Sequence, residues 1–465
     1  MWRKVSVILI ACFLVAFKAD ARLITYGKGY RFDKNGWIYV HIEGKPYQRG
    51  FQYGYLIADR LEKAIKTMKF ICYFNTGKHW SFFRHWAVKL YAHKIPREYL
   101  LEMKGIAAGA RKRGVRITWK DVLLWNGYFE LVYYWWPHEK EGRFFNLPKT
   151  RCSAFIATGD YTKDGSIVMA HNSWCDFVTC QFLNVVVDLK PDRGYRILMQ
   201  SMPGYIYSMS DFFITSAGIV GTETTIGGFE PYSESGIPEF VRIRKAMQYG
   251  KSLEDYVRIL LKGNNGGYAN DWLFGDIRTG EIMRLELGLK YHRVWRTKSG
   301  YYIGFNAPLD PRIRNLECKN TGFSDIRRHQ GARRVRLTQL MHKYRGKIDI
   351  KIAEKILADH YDVYLGKVNP SSRTIDGHYE LDNRAYMSEP GRPLPYQPRG
   401  AVDGKVTDSK LASRMEFYGR WGNSSGMPFN AKAFLEKHIQ WDYLKGYLES
   451  RPSEPWTLFG IDQRP

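Results

Sequence analysis

The chain has no apolar run long enough to cross a bilayer: the longest, Val5 to Phe17, is 13 residues, where about 20 are needed. It also has no internal repeat and no Pro-, Gly- or Ser-rich tract. Collagen-like, coiled-coil, multi-span membrane and disordered classes are therefore excluded. There is no His-Glu-x-x-His zinc helix and no Gly-x-x-x-x-Gly-Lys phosphate loop. The one formal Gly-x-Ser-x-Gly match, Gly422 to Gly426, is followed at once by Pro428, where a nucleophile elbow needs a helix, so it reads as a plain turn. His79 and His85 match no ligand spacing, and no metal or other cofactor is expected. Acidic residues are scarce, 46 Asp and Glu against 71 Lys and Arg, which gives a net charge of +25. That excess favours anionic partners without choosing among nucleic acid, acidic polysaccharide and membrane.

Arg3 and Lys4 precede the apolar run and Ala19-Asp20-Ala21 follows it, the pattern of a secretory leader over residues 1–21 with the mature chain starting near Arg22. The expected location is secreted, lysosomal or periplasmic, so nucleic acid is dropped as a partner. The leader carries Arg3, Lys4 and Lys18 against Asp20, so nearly all of the basic excess belongs to the folded protein. Cys12 leaves with it. Cys72, Cys152, Cys175, Cys180 and Cys318 remain, an odd number in an oxidising compartment, so at least one thiol is free or paired between chains. Cys175 and Cys180 suit either a small disulfide loop or two free thiols. Asn423-Ser424-Ser425 is a glycosylation sequon if the source is eukaryotic.

Apolar residues at helical spacing predict a helix from Tyr47 to about Phe74 and another opening at Pro96 and stopping at Gly114. A third starts at Thr118, capped by Asp121, and runs into the aromatic stretch Phe129 to Trp136, which suits a core or an acyl-lining surface. At Cys152 the texture turns to short β-rich runs. Ser153–Thr158 and Ile167–Ala170 flank Asp164-Gly165 as a hairpin, Phe182–Leu189 and Tyr195–Met199 continue the strands, and Thr279-Gly280 and Ser299-Gly300 mark two more hairpins. Helical pattern returns at Leu253–Leu261, Ile326–Tyr344 and Ile350–His360. The run Arg327, Arg328, Arg333, Arg334 and Arg336 reads as a solvated helix face or an anion-docking surface. Separate strand and helix blocks predict a layered α+β fold.

Cys152 stands at the junction of the two textures, in Arg151-Cys152-Ser153-Ala154-Phe155, followed by His171-Asn172-Ser173-Trp174. Gly44 to Gly54, Gly221-Thr222-Glu223-Thr224-Thr225, Tyr268-Ala269-Asn270-Asp271-Trp272, Gly304-Phe305-Asn306-Ala307-Pro308 and Gly400 to Thr407 complete an ordered set. Together they resemble the phospholipase B-like proteins, a branch of the N-terminal-nucleophile hydrolases beside the penicillin acyltransferases and acid ceramidase.

The resemblance implies a four-layer αββα fold and self-cleavage between Arg151 and Cys152. Residues 22–151 would form a helical chain that stays associated with a catalytic chain, 152–465. Cys152 would be the nucleophile with its own freed α-amine as base, and Asn270 an oxyanion donor. His171, Asn172 and Trp174 are carried over as groups near the nucleophile, and Thr224 as lining the site. An arginine is expected after Asn306, with Arg312 and Arg314 as candidates. The acyltransferase relatives place an aspartate in the segment after the nucleophile hairpin, whereas here none occurs before Asp176. The implied substrate is an acyl-bearing lipid or amide, with an anionic membrane surface as a partner for the basic excess. The alternatives are an N-acyl amide hydrolase or acyltransferase and a catalytically inactive anionic-lipid-binding protein.

Overall fold

The computed structural model describes residues 23–144, 152–209, 212–384 and 394–465; the expected leader and Arg151 lie outside the described residues. The strands in chain order are β1 (Ile24–Tyr26), β2 (Gly29–Lys34), β3 (Trp37–Gly44), β4 (Ser153–Gly159), β5 (Gly165–Asn172), β6 (Trp174–Asp176), β7 (Val185–Pro191), β8 (Ile197–Ser201), β9 (Phe213–Thr215), β10 (Ile219–Thr225), β11 (Asn270–Asp276), β12 (Glu281–Leu287), β13 (His292–Thr297), β14 (Gly300–Gly304), β15 (Tyr361–Asp362), β16 (Lys367–Val368), β17 (Arg399–Ala401), β18 (Asp403–Asp408), β19 (Glu416–Trp421) and β20 (Thr457–Gly460). A ten-stranded sheet runs β1-β2-β3-β7-β8-β9-β10-β11-β12-β13, and a six-stranded sheet runs β14-β4-β5-β18-β19-β20.

The two sheets face each other. Alternation along β4 sends Ala154 and Ile156 into the space between them, and a Cβ on Gly275 of β11 would lie 3.0–3.1 Å from Ile167 and Ile156. The alternate residues Phe155, Ala157, Val168 and Ala170 pack outward on helices α9 (His329–Lys343) and α10 (Ile350–Leu357) through Leu337, Leu340, Met341 and Ile356; the helices earlier in the chain are α1 (Pro46–Leu56), α2 (Ala58–Thr76), α3 (Trp80–Tyr91), α4 (Arg97–Lys112), α5 (Trp119–Glu130), α6 (Phe177–Cys180), α7 (Glu239–Tyr249) and α8 (Leu253–Leu261). On the far face of the large sheet, Tyr256 of α8 packs on Phe213 and Phe274, and α1 covers β3. The order helix, sheet, sheet, helix is the expected α+β layering.

Residues before 145 are not only helical. Strands β1–β3 precede α1, and β3 pairs in parallel with β7, Ile38 opposite Val185, so the first segment is part of the large sheet. The predicted helix from Tyr47 is two, α1 and α2, meeting at Ile57. The capping box of Thr118 and Asp121 opens α5, and the aromatic run after it is buried core, with Tyr134, Trp135 and Trp136 at 1–3% exposure. Helices α1 and α4 approach backbone to backbone: a Cβ on Gly50, Gly54, Gly105 or Gly109 would fall within 2.3 Å of a carbonyl on the facing helix.

The hairpins at Asp164-Gly165 and Thr279-Gly280 form. Ser299-Gly300 is not a hairpin: β13 ends the large sheet and β14 begins the small one, so the chain changes sheets there. Cys175 and Cys180 form a disulfide. Among the described residues no helix is long and apolar enough to cross a membrane.

Candidate active site

Cys152 lies at the head of β4 with its side chain 3% exposed. Its backbone is left-handed, φ +78°, a conformation that costs a non-glycine residue about 1–3 kcal/mol. What holds it there is Arg333 of α9. The guanidinium donates to the Cys152 carbonyl, to Ser153 Oγ at 3.0 Å, to Asn306 Oδ1 at 2.6 Å and to the Phe305 carbonyl at 3.2 Å, while its Nε reaches the His329 carbonyl at 3.0 Å. The planar fork thus ties β4, the end of β14 and α9 together, with Trp174 stacked 4.1 Å from its centre. Asn306, itself at φ +67°, donates across the seam to the Thr225 carbonyl at 2.7 Å.

Around the thiol are groups from both sheets. Burial pushes the Cys152 thiol far above its usual range, the Glu223 carboxylate adds to this, and the Trp174 backbone N–H and the Lys405 ammonium oppose it. Lys405 is fully buried and donates to Asp403 at 2.7 Å, to Ser173 Oγ at 2.6 Å and to Gln200. Burial pulls its ammonium down and Asp403 holds it up. Asp403 also accepts from the Ser173 N–H at 3.0 Å. In the register of the small sheet Lys405 is opposite His171, and His171 is opposite Ala154, so these side chains share the inner face toward which Cys152 turns. His171 is wholly buried, and burial with the Lys405 charge keeps it neutral, well below its ordinary range.

Asn270 begins β11 opposite Thr225. In its hydrogen-bonding orientation the amide nitrogen donates to Glu223 Oε2 at 2.8 Å and to the Ala269 carbonyl at 3.1 Å. Thr224 lies at the seam between the sheets, its Cγ2 where a Cβ on Gly304 would come within 2.5 Å.

Other expected site residues fall elsewhere. Asn172 is opposite Ser153, so it points to the helix side of the small sheet, donating to the carbonyls of Leu357 at 2.9 Å and Ile375 at 3.3 Å and accepting from Ser424 Oγ at 2.6 Å. Its role there is to fasten the sheet to the layer behind it. Arg312 pairs with Asp310 at 2.7 Å and Arg314 binds the carbonyls of Pro308 and Leu309; the arginine that meets Cys152 is Arg333. The basic run, which begins two residues before α9 and continues along it, is therefore not a uniform docking face: Arg333 is buried, Arg336 pairs with Asp359 and Arg327 with Asp325. The sequon residue Asn423 is 5% exposed, with its oxygen accepting from Ser425, Gly426 and Met427 and its nitrogen donating to the Met427 carbonyl.

Glu223, Lys405, Asp403 and Asn306 stand in stretches the sequence singles out, yet only their position on a strand face, or for Asn306 just past the end of β14, reveals them. Asp403 and Lys405, two apart on β18, must share a face, and a charged pair on a strand buried on both sides is the signal.

A family model described as phospholipase B matches residues 103–284. The chain is 27% identical over 275 residues to an uncharacterized protein of Archaeoglobus fulgidus, covering 54% of this chain and 43% of that one. It is 23% identical over 306 residues to phospholipase B of Crotalus adamanteus, 59% of this chain and 52% of that one. With human phospholipase B-like 1 it shares 23% identity over 446 residues, 88% of this chain and 74% of that one. The chain spans about half the length of the first curated relatives it matches. The family match and the relatives named phospholipase B-like support one placement for this chain, the phospholipase B-like family.

Proposed function

We propose that the chain is a hydrolase of acyl ester or amide bonds that matures by cutting itself before Cys152. The observation that carries this reading is the strained Cys152 backbone, fixed by Arg333 through its carbonyl, with a buried thiol facing the Trp174 N–H. In the first step the thiol adds to the Arg151 carbonyl, an N-to-S shift gives a thioester and frees the Cys152 α-amine, and water then hydrolyses the thioester to the Arg151 carboxylate and the Cys152 thiol. Relief of the left-handed conformation favours that step.

Before cleavage the thiol is poorly ionised, because burial and Glu223 disfavour its anion. The freed α-amine, with a pKa of about 7.7–8.0, supplies the base that the uncut chain lacks. Cys152 then attacks the acyl carbonyl, the amine carries the proton to the leaving group, and water discharges the thioester. Lys405 and Asp403 hold the polar floor beside it. Asn270 is assigned the oxyanion, for which its amide nitrogen must exchange Glu223 for substrate. Since β3 belongs to the same sheet as β7, the two chains would remain one body.

Secretion is supported by the leader pattern and by the Cys175–Cys180 disulfide, which suits an oxidising compartment. A fatty acyl group in phospholipid is the favoured substrate, in line with the names of the relatives. Acyl release from lyso- and diacyl-phospholipids is compared with release from N-acyl amino acids, using wild-type protein and Cys152→Ala. Turnover of phospholipid by wild type alone is the expected result. Turnover of N-acyl amino acids only would move the reading to an amidase, and a fully active alanine variant would refute the nucleophile.

A further inference from the structure

The fold gathers His360, Asp376 and His378 behind the small sheet. His360 Nε2 lies 3.3 Å and His378 Nε2 3.6 Å from the same oxygen, Asp376 Oδ2, and the three donor atoms all fall within 4.8 Å of one another. These separations are at or beyond the long end of the hydrogen-bond range, and neither Nε2 has a well-formed partner. They match instead two ligands on a shared tetrahedral ion, where bonds of about 2.0–2.1 Å put the donors about 3.3–3.4 Å apart.

The outer partners fit as well. His378 Nδ1 is 2.8 Å from Glu380 Oε1, so a neutral ring that donates there presents its Nε2 to a ligand. Asp376 is aimed by the N–H groups of Ser425 at 2.9 Å and Ser424 at 3.3 Å. Asp376 and His378 are 0% and 1% exposed, whereas His360 is only partly buried and opens the cluster toward solvent. By contrast, the cluster of His41, Asp188 and Asp462 is already closed by Arg196, whose guanidinium binds both carboxylates at 2.6–2.8 Å.

We propose that His360, Asp376 and His378 bind one divalent transition-metal ion of the zinc type, with water in the fourth position. Its place in the fold makes it a structural ion for the nucleophile's support. The same segment offers the Ile375 carbonyl to Ser153 Oγ at 3.1 Å, and Gly377 lies so flat on Trp174 that a Cβ would come within 2.4 Å of the ring. Tying residues 360 and 378 together would fix that segment against the start of β4.

The test uses full-length protein stripped by a chelator and titrated with Co²⁺, then Zn²⁺. One equivalent of Co²⁺ should give the visible bands of a tetrahedral site, Zn²⁺ should displace it, and the thermal midpoint should rise. His378→Ala and Asp376→Asn should each abolish the bands, and His342→Ala, at an exposed position, should keep them. If the buried variants fail to fold, His360→Ala carries the same prediction. Folded wild-type protein that takes up neither ion, or bands unchanged by His360→Ala and His378→Ala, would overturn the site. So would nitrogen-15 spectra that, with Zn²⁺ present, show both ring nitrogens of His378 protonated between Asp376 and Glu380.

Discussion

Arg333 donates to the carbonyl of Cys152 across 181 residues of chain, and the same guanidinium nitrogen reaches Ser153 Oγ. The nucleophile's backbone is thus set by a helix in the layer behind its sheet. This contact does not depend on the Arg151–Cys152 bond, so it persists after that bond is cut.

Replacing Arg333 should therefore impair both processing and turnover. Lysine offers one nitrogen where the fork serves five partner residues. Arg333→Lys is expected to lower kcat about 10²-fold, with KM nearly unchanged, a loss comparable to removing one fixed donor in other hydrolases. Steady-state kinetics and the rate of chain cleavage check this; wild-type kcat in the variant would show that Arg333 is not needed to position Cys152.

Lys405 is a buried cation whose loss leaves Asp403 charged without its partner. Lys405→Met should destabilise the fold by about 3–5 kcal/mol, and Lys405→Met with Asp403→Leu should recover part of the loss. Urea unfolding of the two variants at one pH distinguishes this from loss of packing alone, in which the second change would add to the first.

Glu130 gives the fold a pH dependence. Burial raises its carboxyl to about 7, against the ordinary 4.5, while Asn265 at 2.7 Å and the Glu239 N–H at 2.8 Å partly offset the rise. Between those two pH values the unfolded chain releases a proton that the folded chain keeps, so this group's contribution to stability falls as pH rises from about 4.5 to 7. The full effect is up to about 3 kcal/mol. Burial raises the neighbouring Glu239 as well, in the same direction. Glu130→Gln should flatten the decline between pH 5 and 7.5, measured by chemical denaturation; an unchanged slope would assign it to other groups.

The close helix pair gives a steric prediction. At Gly105 a methyl group would lie 2.3 Å from the Tyr47 carbonyl, and backbone cannot rotate away as a side chain can. Gly105→Ala should cost about 3 kcal/mol or more through overpacking. At Gly77 nothing lies within 4 Å, so Gly77→Ala should cost only about 1 kcal/mol for its left-handed backbone. Similar thermal midpoints for the two variants would contradict the close approach.

How much of this was legible in the sequence follows the range of the interactions. The hairpin of β4 and β5 and the helix α8 rest on local turns and periodicity, and both read correctly. Strands β1–β3 did not, because β3 finds its partner β7 only after about 140 intervening residues. Ser299-Gly300 carries a turn signal that is silent on which sheet the next strand joins. Arg333 was hidden by its charged neighbours, although it shares an i, i+4, i+7 stripe with Leu337 and Leu340, the buried side of α9. The pattern around Cys152 and Asn270 was visible as an ordered set of short motifs. The carboxylates and ammonium that act on the thiol come from two strands far apart in the chain, β10 and β18, and had no common signature.

The most direct measurement is N-terminal sequencing with intact mass on protein matured at acidic and neutral pH. The account predicts two associated chains, one of them beginning at Cys152, and a single uncut chain for Cys152→Ala. A wild-type protein that stays uncut while hydrolysing acyl substrate, or an alanine variant that matures normally, would contradict it.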